Sequence, residues 1–396
     1  MKEKTVVLGV TGGIAAYKAL DIVSKLKKKN INVHVIMTDS ATKFVTPLSF
    51  QSLSQNYVVV DMFAEPKHWE IQHISLAERA DLFVVAPASA NIIGKIANGI
   101  ADDMLSTTVM ATKAPVLIAP AMNTNMYENP IVQRNIKLLK DLGYNFIEPD
   151  EGRLACGSVG KGKLADTDKI VDMIDMLLYS NKDFAGKKIL VTAGPTREDI
   201  DPVRYITNRS SGKMGYAIAK AARNRGAEVI LISGPTKLPR PEGVKFIGIN
   251  SATEMYNEVL KHFDEVDIVI KSAAVADYRP LEKSEKKIKK SDDDMSIPLT
   301  KNKDILFELG KIKKNQLLIG FAAETDDLVC NAKNKVCKKN LDFIVANDVT
   351  MEKSGFDVDT NTVKIIDRDG TIIQLPNMAK EEVAHNILDH ILNIKR

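Results

Sequence analysis

Thr5-Val-Val-Leu-Gly-Val-Thr-Gly-Gly-Ile14 is the stretch that decides the fold. A run of β-favouring apolar residues ends in a polar glycine turn, and the amphipathic pattern Ile14–Lys29 starts at once. A second strand follows at Asn32–Met37. Leu82–Ala86 and Val116–Ala119 are further short runs with no polar residue, each closed by a polar turn. Strands that are apolar on both sides and alternate with helices predict a parallel sheet covered on both faces. In such sheets ligands bind beyond the carboxyl ends of the strands. Here those ends are the turns Thr11–Gly13, Thr38–Ser40, Pro87–Asn91 and Pro120–Asn125.

The theme then repeats. At 396 residues the chain is too long for one core. Tyr179–Lys187 is polar and without period, which predicts a linker and divides the chain into domains 1–180 and 187–396. Lys188–Thr192 is a strand before the Gly194-Pro195 turn, Met214–Asn224 a helix stopped by Gly226, and Glu228–Ser233 the next strand. Asp267–Ser272, Leu317–Gly320 and Asp342–Ala346 read as buried strands. Thr362–Ile366 and Thr371–Gln374 around Asp369-Gly370 read as a hairpin, and Glu381–Ile394 as a closing amphipathic helix. Leu281–Lys303, dense in Lys, Asp and Glu, is expected to be a mobile flap or solvated loop.

Composition narrows the class. The 55 Lys and Arg against 51 Asp and Glu leave a net charge of +4, too weak a bias to argue for nucleic acid. The longest apolar runs are of strand length, far below the ~20 residues that span a bilayer. Met1-Lys-Glu-Lys runs straight into a strand, so no signal peptide is expected. The three cysteines, Cys156, Cys330 and Cys337, cannot all pair and fit no zinc spacing, which points to a reducing cytoplasm.

The common nucleotide motifs fail. Neither half holds G-x-G-x-x-G, and no acidic residue ends the second strand of the second half, where Ile232-Ser-Gly-Pro235 stands. A dinucleotide-linked oxidoreductase is therefore disfavoured. Ser211-Gly-Lys-Met214 lacks both the first glycine and the magnesium-binding hydroxyl of a P-loop. Glycine turns that open helices still favour phosphate, because backbone N–H groups and the helix dipole point at the ligand.

Longer motifs carry a resemblance. Pro87-Ala-Ser-Ala-Asn91, Pro120-Ala-Met-Asn-x-x-Met126 and His73 in Ile71-Gln-His-Ile-Ser-Leu76 resemble the flavin-dependent cysteine decarboxylases. Asp201-Pro-Val-Arg-Tyr-Ile-Thr-Asn208-x-Ser-Ser-Gly-Lys-Met-Gly215, Ala273-Ala-Val-Ala-Asp-Tyr-Arg279, Lys287-Ile-Lys-Lys290 and Gly320-Phe-Ala-Ala-Glu-Thr325 resemble phosphopantothenate–cysteine ligase. In this order they are similar to the bifunctional coenzyme A biosynthesis proteins, over nearly the whole chain. The resemblance implies two Rossmann-like α/β domains, a flavodoxin-like flavoprotein domain and then a ligase domain.

For the first half it implies FMN and decarboxylation of a cysteine amide. The flavin takes a hydride equivalent from the thiol side, and the resulting thioaldehyde accepts the electrons left by CO2. His73 is the implied base; a lone histidine is otherwise most often a satisfied surface or core residue. Cys156 in Gly152-Arg-Leu-Ala-Cys-Gly157 is the implied flap residue that protonates or reduces the enethiol, where an inert thiol is the bland reading. Cys330 and Cys337 read as structural. Asn123, otherwise a turn Asn, and Met126 are implied substrate contacts. Gly12, Gly13, Thr38, Ser40, Ser89 and Asn91 are implied flavin contacts, the last two also suiting a helix cap. The family's usual Thr after Asn91 is Ile92 here.

For the second half it implies CTP-driven amide formation through an acyl-cytidylate, with Mg2+. Lys271, Ser272, Ala273, Asp277, Lys287, Lys289, Phe321, Lys335 and Lys339 are the implied nucleotide contacts. So is Lys303-Asp304-Ile305-Leu306, in which Lys303 replaces the family's proline. Asn208 is implied to steady the acyl-cytidylate, and Ser210, Ser211 and Gly212 to cradle the phosphate of 4′-phosphopantothenate. A charged loop alone would make solvation the favoured reading of Lys287 and Lys289. The resemblance further implies a homo-oligomer of trimeric flavoprotein halves and dimeric ligase halves, a dodecamer. A chain with only one active half is the alternative, against which His73, Asn123 and Cys156 are all present.

Overall fold

The computed structural model describes residues 4–63, 71–153, 157, 159–289, 295–324, 328–348 and 358–394. They form two compact units, Met1–Tyr179 and Ser180–Arg396.

In the first unit β1 (Thr5–Val10), β2 (Asn32–Met37), β3 (Leu82–Ala88), β4 (Val116–Pro120) and β5 (Asn145–Phe146) make one sheet in the order β2-β1-β3-β4-β5. All its pairs are parallel, as in Thr5 against Asn32 and Val6 against Leu82. This is the flavodoxin-like strand order. Val6, Leu8 and Val10 meet Ile22, Leu26, Ile170 and Ile174 on one face; Val7, Phe83 and Val85 meet Ile92, Ile93 and Leu105 on the other. Burial on both faces is why these strands carry no alternation. A hairpin of β6 (Asp150–Arg153) and β7 (Val159–Lys163) stands outside the sheet.

In the second unit the strands are β8 (Lys188–Ala193), β9 (Arg197–Asp199), β10 (Tyr205–Thr207), β11 (Glu228–Ser233), β12 (Lys245–Gly248), β13 (Ile268–Lys271), β14 (Tyr278–Pro280), β15 (Leu299–Lys301), β16 (Leu317–Glu324), β17 (Phe343–Asp348), β18 (Thr360–Asp367) and β19 (Ile372–Ala379). Eight of them form a sheet in the order β12-β11-β8-β13-β16-β17-β18-β19, parallel up to β17 and antiparallel beyond. The order reverses direction between β8 and β13, the place where such sheets open a ligand crevice. The helices Lys213–Asn224 and Lys380–Asn393 cover one face, with Ile218 and Ile387 fully buried. The β9–β10 and β14–β15 pairs are separate antiparallel ribbons.

Three expectations change. The polar stretch expected as a linker joins the second unit by Asp183: Arg225 grips the Asp183 carboxylate at 2.8 and 2.6 Å, and Phe184 is 1% exposed. One aromatic among polar residues hid that docking from the sequence. The charged Leu281–Lys303 segment is rooted by the β14–β15 ribbon. Its first arm is tied down by Ile288 N–H to Asp201 Oδ2 at 3.1 Å and Lys283 to Asp199 at 2.6 Å. Cys337, expected as structural, is exposed. Among the described residues no helix is long and apolar enough to cross a membrane.

Candidate functional sites

At the carboxyl edge of the first sheet, three turns are joined by hydrogen bonds. The buried Thr11 hydroxyl donates to the Pro87 carbonyl at 2.7 Å and accepts from the Ser89 N–H at 3.0 Å. Ala121 N–H reaches the Ala88 carbonyl at 2.9 Å, and Met122 N–H the Gly162 carbonyl at 2.9 Å. The ends of β1, β3 and β4 and the β6–β7 hairpin thus share one surface. At Gly162, with φ 145°, a Cβ would lie 2.4 Å from the Met122 carbonyl, so only glycine seats the hairpin there. Cys156 is in the connection between those two strands and lies outside the described residues.

The other expected flavin contacts divide. Ser89 caps the helix Ala90–Ala97 by accepting from Ile92 N–H at 3.3 Å, and Asn91 is exposed in its first turn. Thr38 accepts from Ala41 N–H at 3.2 Å. Gly12 is packed on Ser40, whose Cβ would be 2.5 Å from an added Cβ, whereas Gly13 faces open space. Asn123 accepts from Asn125 N–H at 2.9 Å, and Met126 is 49% exposed. Next to Asn123, the Thr124 hydroxyl is buried without a partner, alone in this among the described side-chain polar atoms. His73 is half-buried in the first turn of the helix Gln72–Arg79. That helix precedes β3, and His73 is at its N-terminal end. No described hydrogen bond joins His73 or Met126 to the turns. Thr11, which holds the turns together, was not singled out by sequence; a Thr after a strand carries no local signal.

In the second unit a cleft of about 450 Å3 opens at the end of β8 and β13. Asn208, Ser210, Ser211 and Gly212 form one wall; Lys271, Ser272, Ala273 and Asp277 another; Phe321, Lys335 and Lys339 a third. Gly212, at φ 79°, turns the chain into the helix Lys213–Asn224 and gives it no side-chain cap, and the first-turn residues Lys213, Met214 and Gly215 line the cleft. The Asn208 amide bridges two walls, donating to the Val275 carbonyl at 3.1 Å.

Charge dominates this cleft. Among the described residues, Arg209, Lys213, Lys271, Lys335, Lys339 and Lys380 line it with one acid, Asp277. Burial, reinforced by the Lys339 and Lys335 cations and opposed by Asp304 and Asp277, pulls the Lys271 ammonium down to about 8. Asp304 pairs with Lys339 at 2.8 Å and caps the helix Ile305–Ile312 through Phe307 N–H at 3.2 Å. Burial pushes its carboxyl up, but the Lys339 bond and charge, with the Phe307 N–H and the Lys271 charge, together hold it below the usual range.

Several expected contacts lie elsewhere. Lys287 and Lys289 are exposed and do not line the cleft. Lys303 sits over the Tyr256 ring at 4.6 Å, and Ile305 and Leu306 are buried in the core. Asn302 instead secures the Asp277 turn, its N–H on the Asp277 carbonyl at 2.8 Å and its amide on Ala276 at 2.9 Å. Arg209, Lys213, Asn347, Asn361 and Lys380 line the cleft and were not foreseen. Lys213 had a signal in Ser-Ser-Gly-Lys; Lys380, 6% exposed, reads in sequence as a solvated first-turn lysine.

The model of a family described as Flavoprotein matches residues 1–179, and that of the DNA/pantothenate metabolism flavoprotein C-terminal domain matches residues 184–394. Three relatives share the description Coenzyme A biosynthesis bifunctional protein CoaBC. The Bacillus subtilis protein is 52% identical over 100% of this chain and 98% of its own. The Borreliella burgdorferi protein is 47% identical over 98% of each chain. The Escherichia coli protein is 43% identical over 98% of this chain and 97% of its own. On those end-to-end matches the chain belongs to the family of bifunctional coenzyme A biosynthesis proteins, with a phosphopantothenoylcysteine decarboxylase and a phosphopantothenate–cysteine ligase as its two activities.

Proposed function

We propose that the first unit binds FMN at the carboxyl edge of its sheet, and that the second binds CTP and 4′-phosphopantothenate in its cation-lined cleft. The residues of the first edge fit a flavin nucleotide. Gly13 borders open space, a helix begins at Ala90 with its N–H groups at that edge, and the Thr124 hydroxyl is buried without a partner. When bound, the flavin supplies a two-electron acceptor for the thiol side of the substrate, and returns the hydride. His73 takes up a proton, Asn123 and Met126 hold the cysteinyl amide and carboxylate, and Cys156 serves as the acid. Thr38, Ser40, Ser89 and Asn91 hold the phosphate and ring.

In the second unit, Lys271, Lys335 and Lys339 neutralise the triphosphate. Ser272 and Ala273 follow the nucleotide backbone, Asp277 accepts from the cytosine amino group, and Phe321 packs on the base or ribose. The phosphopantothenate carboxylate attacks the α-phosphorus and pyrophosphate leaves. The cysteine amine then attacks the acyl carbon and CMP leaves, with Asn208 steadying the intermediate. Mg2+ would arrive on the triphosphate, the usual carrier of this ion.

The observation that carries this reading is that, among the described residues, six cations and one acid line the second cleft. Supplying phosphopantothenate, cysteine and CTP to the purified chain should release pyrophosphate and CO2 together. Replacing CTP by ATP tests the base, and a yellow flavin spectrum tests FMN. Absence of both products would overturn the reading. The assembly is proposed to be a homo-oligomer with trimeric first units and dimeric second units, which sedimentation of the full chain tests.

A further inference from the structure

Lys213 follows Gly212 in Ser210-Ser-Gly-Lys-Met-Gly215, and the reaction just described gives it no role. It lines the ligase cleft, yet its Nζ is engaged with Asp359 Oδ1 at 2.7 Å. That carboxylate is 90% exposed and belongs to the residue just before β18, in the wall of an adjoining cavity of about 300 Å3. Lys213 and Lys380 border both cavities. Lys380 holds the same piece of chain, its backbone N–H on the Asp359 carbonyl at 2.9 Å and its Nζ on the Val358 carbonyl at 2.5 Å. An acidic side chain is thereby presented to a cleft cation from outside the cleft.

Such a pair exchanges cheaply. A solvent-exposed carboxylate gains little from its partner. A phosphate at the start of an uncapped helix takes charge-assisted bonds from the lysine and from first-turn N–H groups together. We infer that Lys213 binds a substrate phosphate and that Asp359 is a built-in competitor, occupying the ammonium until that phosphate displaces it. The inference rests on reading the cleft as the ligase site. The phosphate comes either from 4′-phosphopantothenate or from the polyphosphate of CTP, and kinetics separate the two.

Initial rates of pyrophosphate release by the full chain, with each substrate varied in turn, test this in Asp359→Asn, Lys213→Met and the double variant. Asp359→Asn should lower KM for one of the two phosphate substrates by about two- to fivefold, the scale of an exposed ion pair. Lys213→Met should raise the same KM by about 10- to 100-fold, the scale of a charge-assisted bond, with a smaller change in kcat. In the Lys213→Met background the Asp359 substitution should give no further gain. The substrate whose KM moves is the source of the phosphate. An Asp359→Asn enzyme with both KM values unchanged or raised, or a gain that persists without Lys213, would overturn the inference. Asp359 is exposed enough that folding is not at stake. Failure of the wild-type chain to turn over would instead strike the ligase reading itself.

Discussion

The Asn208 side chain donates to the Val275 carbonyl at 3.1 Å and so ties the β10–helix loop to the turn after β13 across the ligase cleft. Asn208→Asp puts an acceptor against that acceptor and cannot make the bond. Its ligase kcat should fall by about 10- to 100-fold or more. Decarboxylation of supplied phosphopantothenoylcysteine should be unchanged. Coupled assays of pyrophosphate and CO2 on one preparation check both halves; a variant with full ligase activity would remove Asn208 from the reaction.

His73→Asn keeps a polar side chain of similar reach but cannot take up a proton near neutral pH. CO2 release should drop by about 10²- to 10⁴-fold, the span of a general base, while amide formation continues and phosphopantothenoylcysteine accumulates. Mass spectrometry of the product mixture reads this directly.

Lys271 carries a cost in the unliganded fold. Its pKa in the folded chain, about 8, lies below its ordinary 10.5, so the penalty is fully present below pH 8 and fades as pH rises toward 10.5. Lys271→Met should stabilise the second unit at pH 7 by about 1–3 kcal/mol and by less at pH 10. The same change should weaken CTP binding. Denaturant unfolding at the two pH values, beside nucleotide titration, tests the trade.

Glu148 behaves in the opposite sense. Its bond from Lys161 at 2.8 Å, with Lys140 and Tyr127 each at 2.9 Å, holds its carboxyl at about 2 against the opposing cost of partial burial. Stability from this group is present above its ordinary 4.5 and is lost as pH falls toward 2. With the side chain 53% exposed, the effect is about 1 kcal/mol. Glu148→Gln should flatten the acid limb of the stability curve in that window, and unfolding of the two proteins between pH 5 and about 2 compares them.

The sheets were legible because burial on both faces leaves unbroken apolar runs such as Leu82–Ala86, and the helix Lys213–Asn224 because Gly226 at φ 91° stops it. Residues at the ends of those strands, Asn208, Lys271 and Asp277 among them, fall into one cleft as a consequence of topology. What the sequence hid depends on partners far along the chain. Lys380 looks solvated until Val358 and Asp359 close over it, and Lys303 looks like a phosphate contact until Tyr256 takes it. Strands β18 and β19 run longer than their apolar cores, with a register shift between Asn361 and Val363. Arg225 drew in Asp183 and Phe184 from 42 positions or so away, beyond any local pattern.

The Thr11 hydroxyl has a consequence for inhibition and for drift. Because it serves Pro87 and Ser89 at once, beside the Thr11 backbone N–H on the same Pro87 carbonyl at 3.3 Å, its own turn and the Pro87–Asn91 turn are pinned together. Replacing that oxygen with a methyl group, as in Thr11→Val, removes two of these three bonds. A ligand on that edge therefore meets a surface whose shape leans on one small buried side chain, a weak point for mutation.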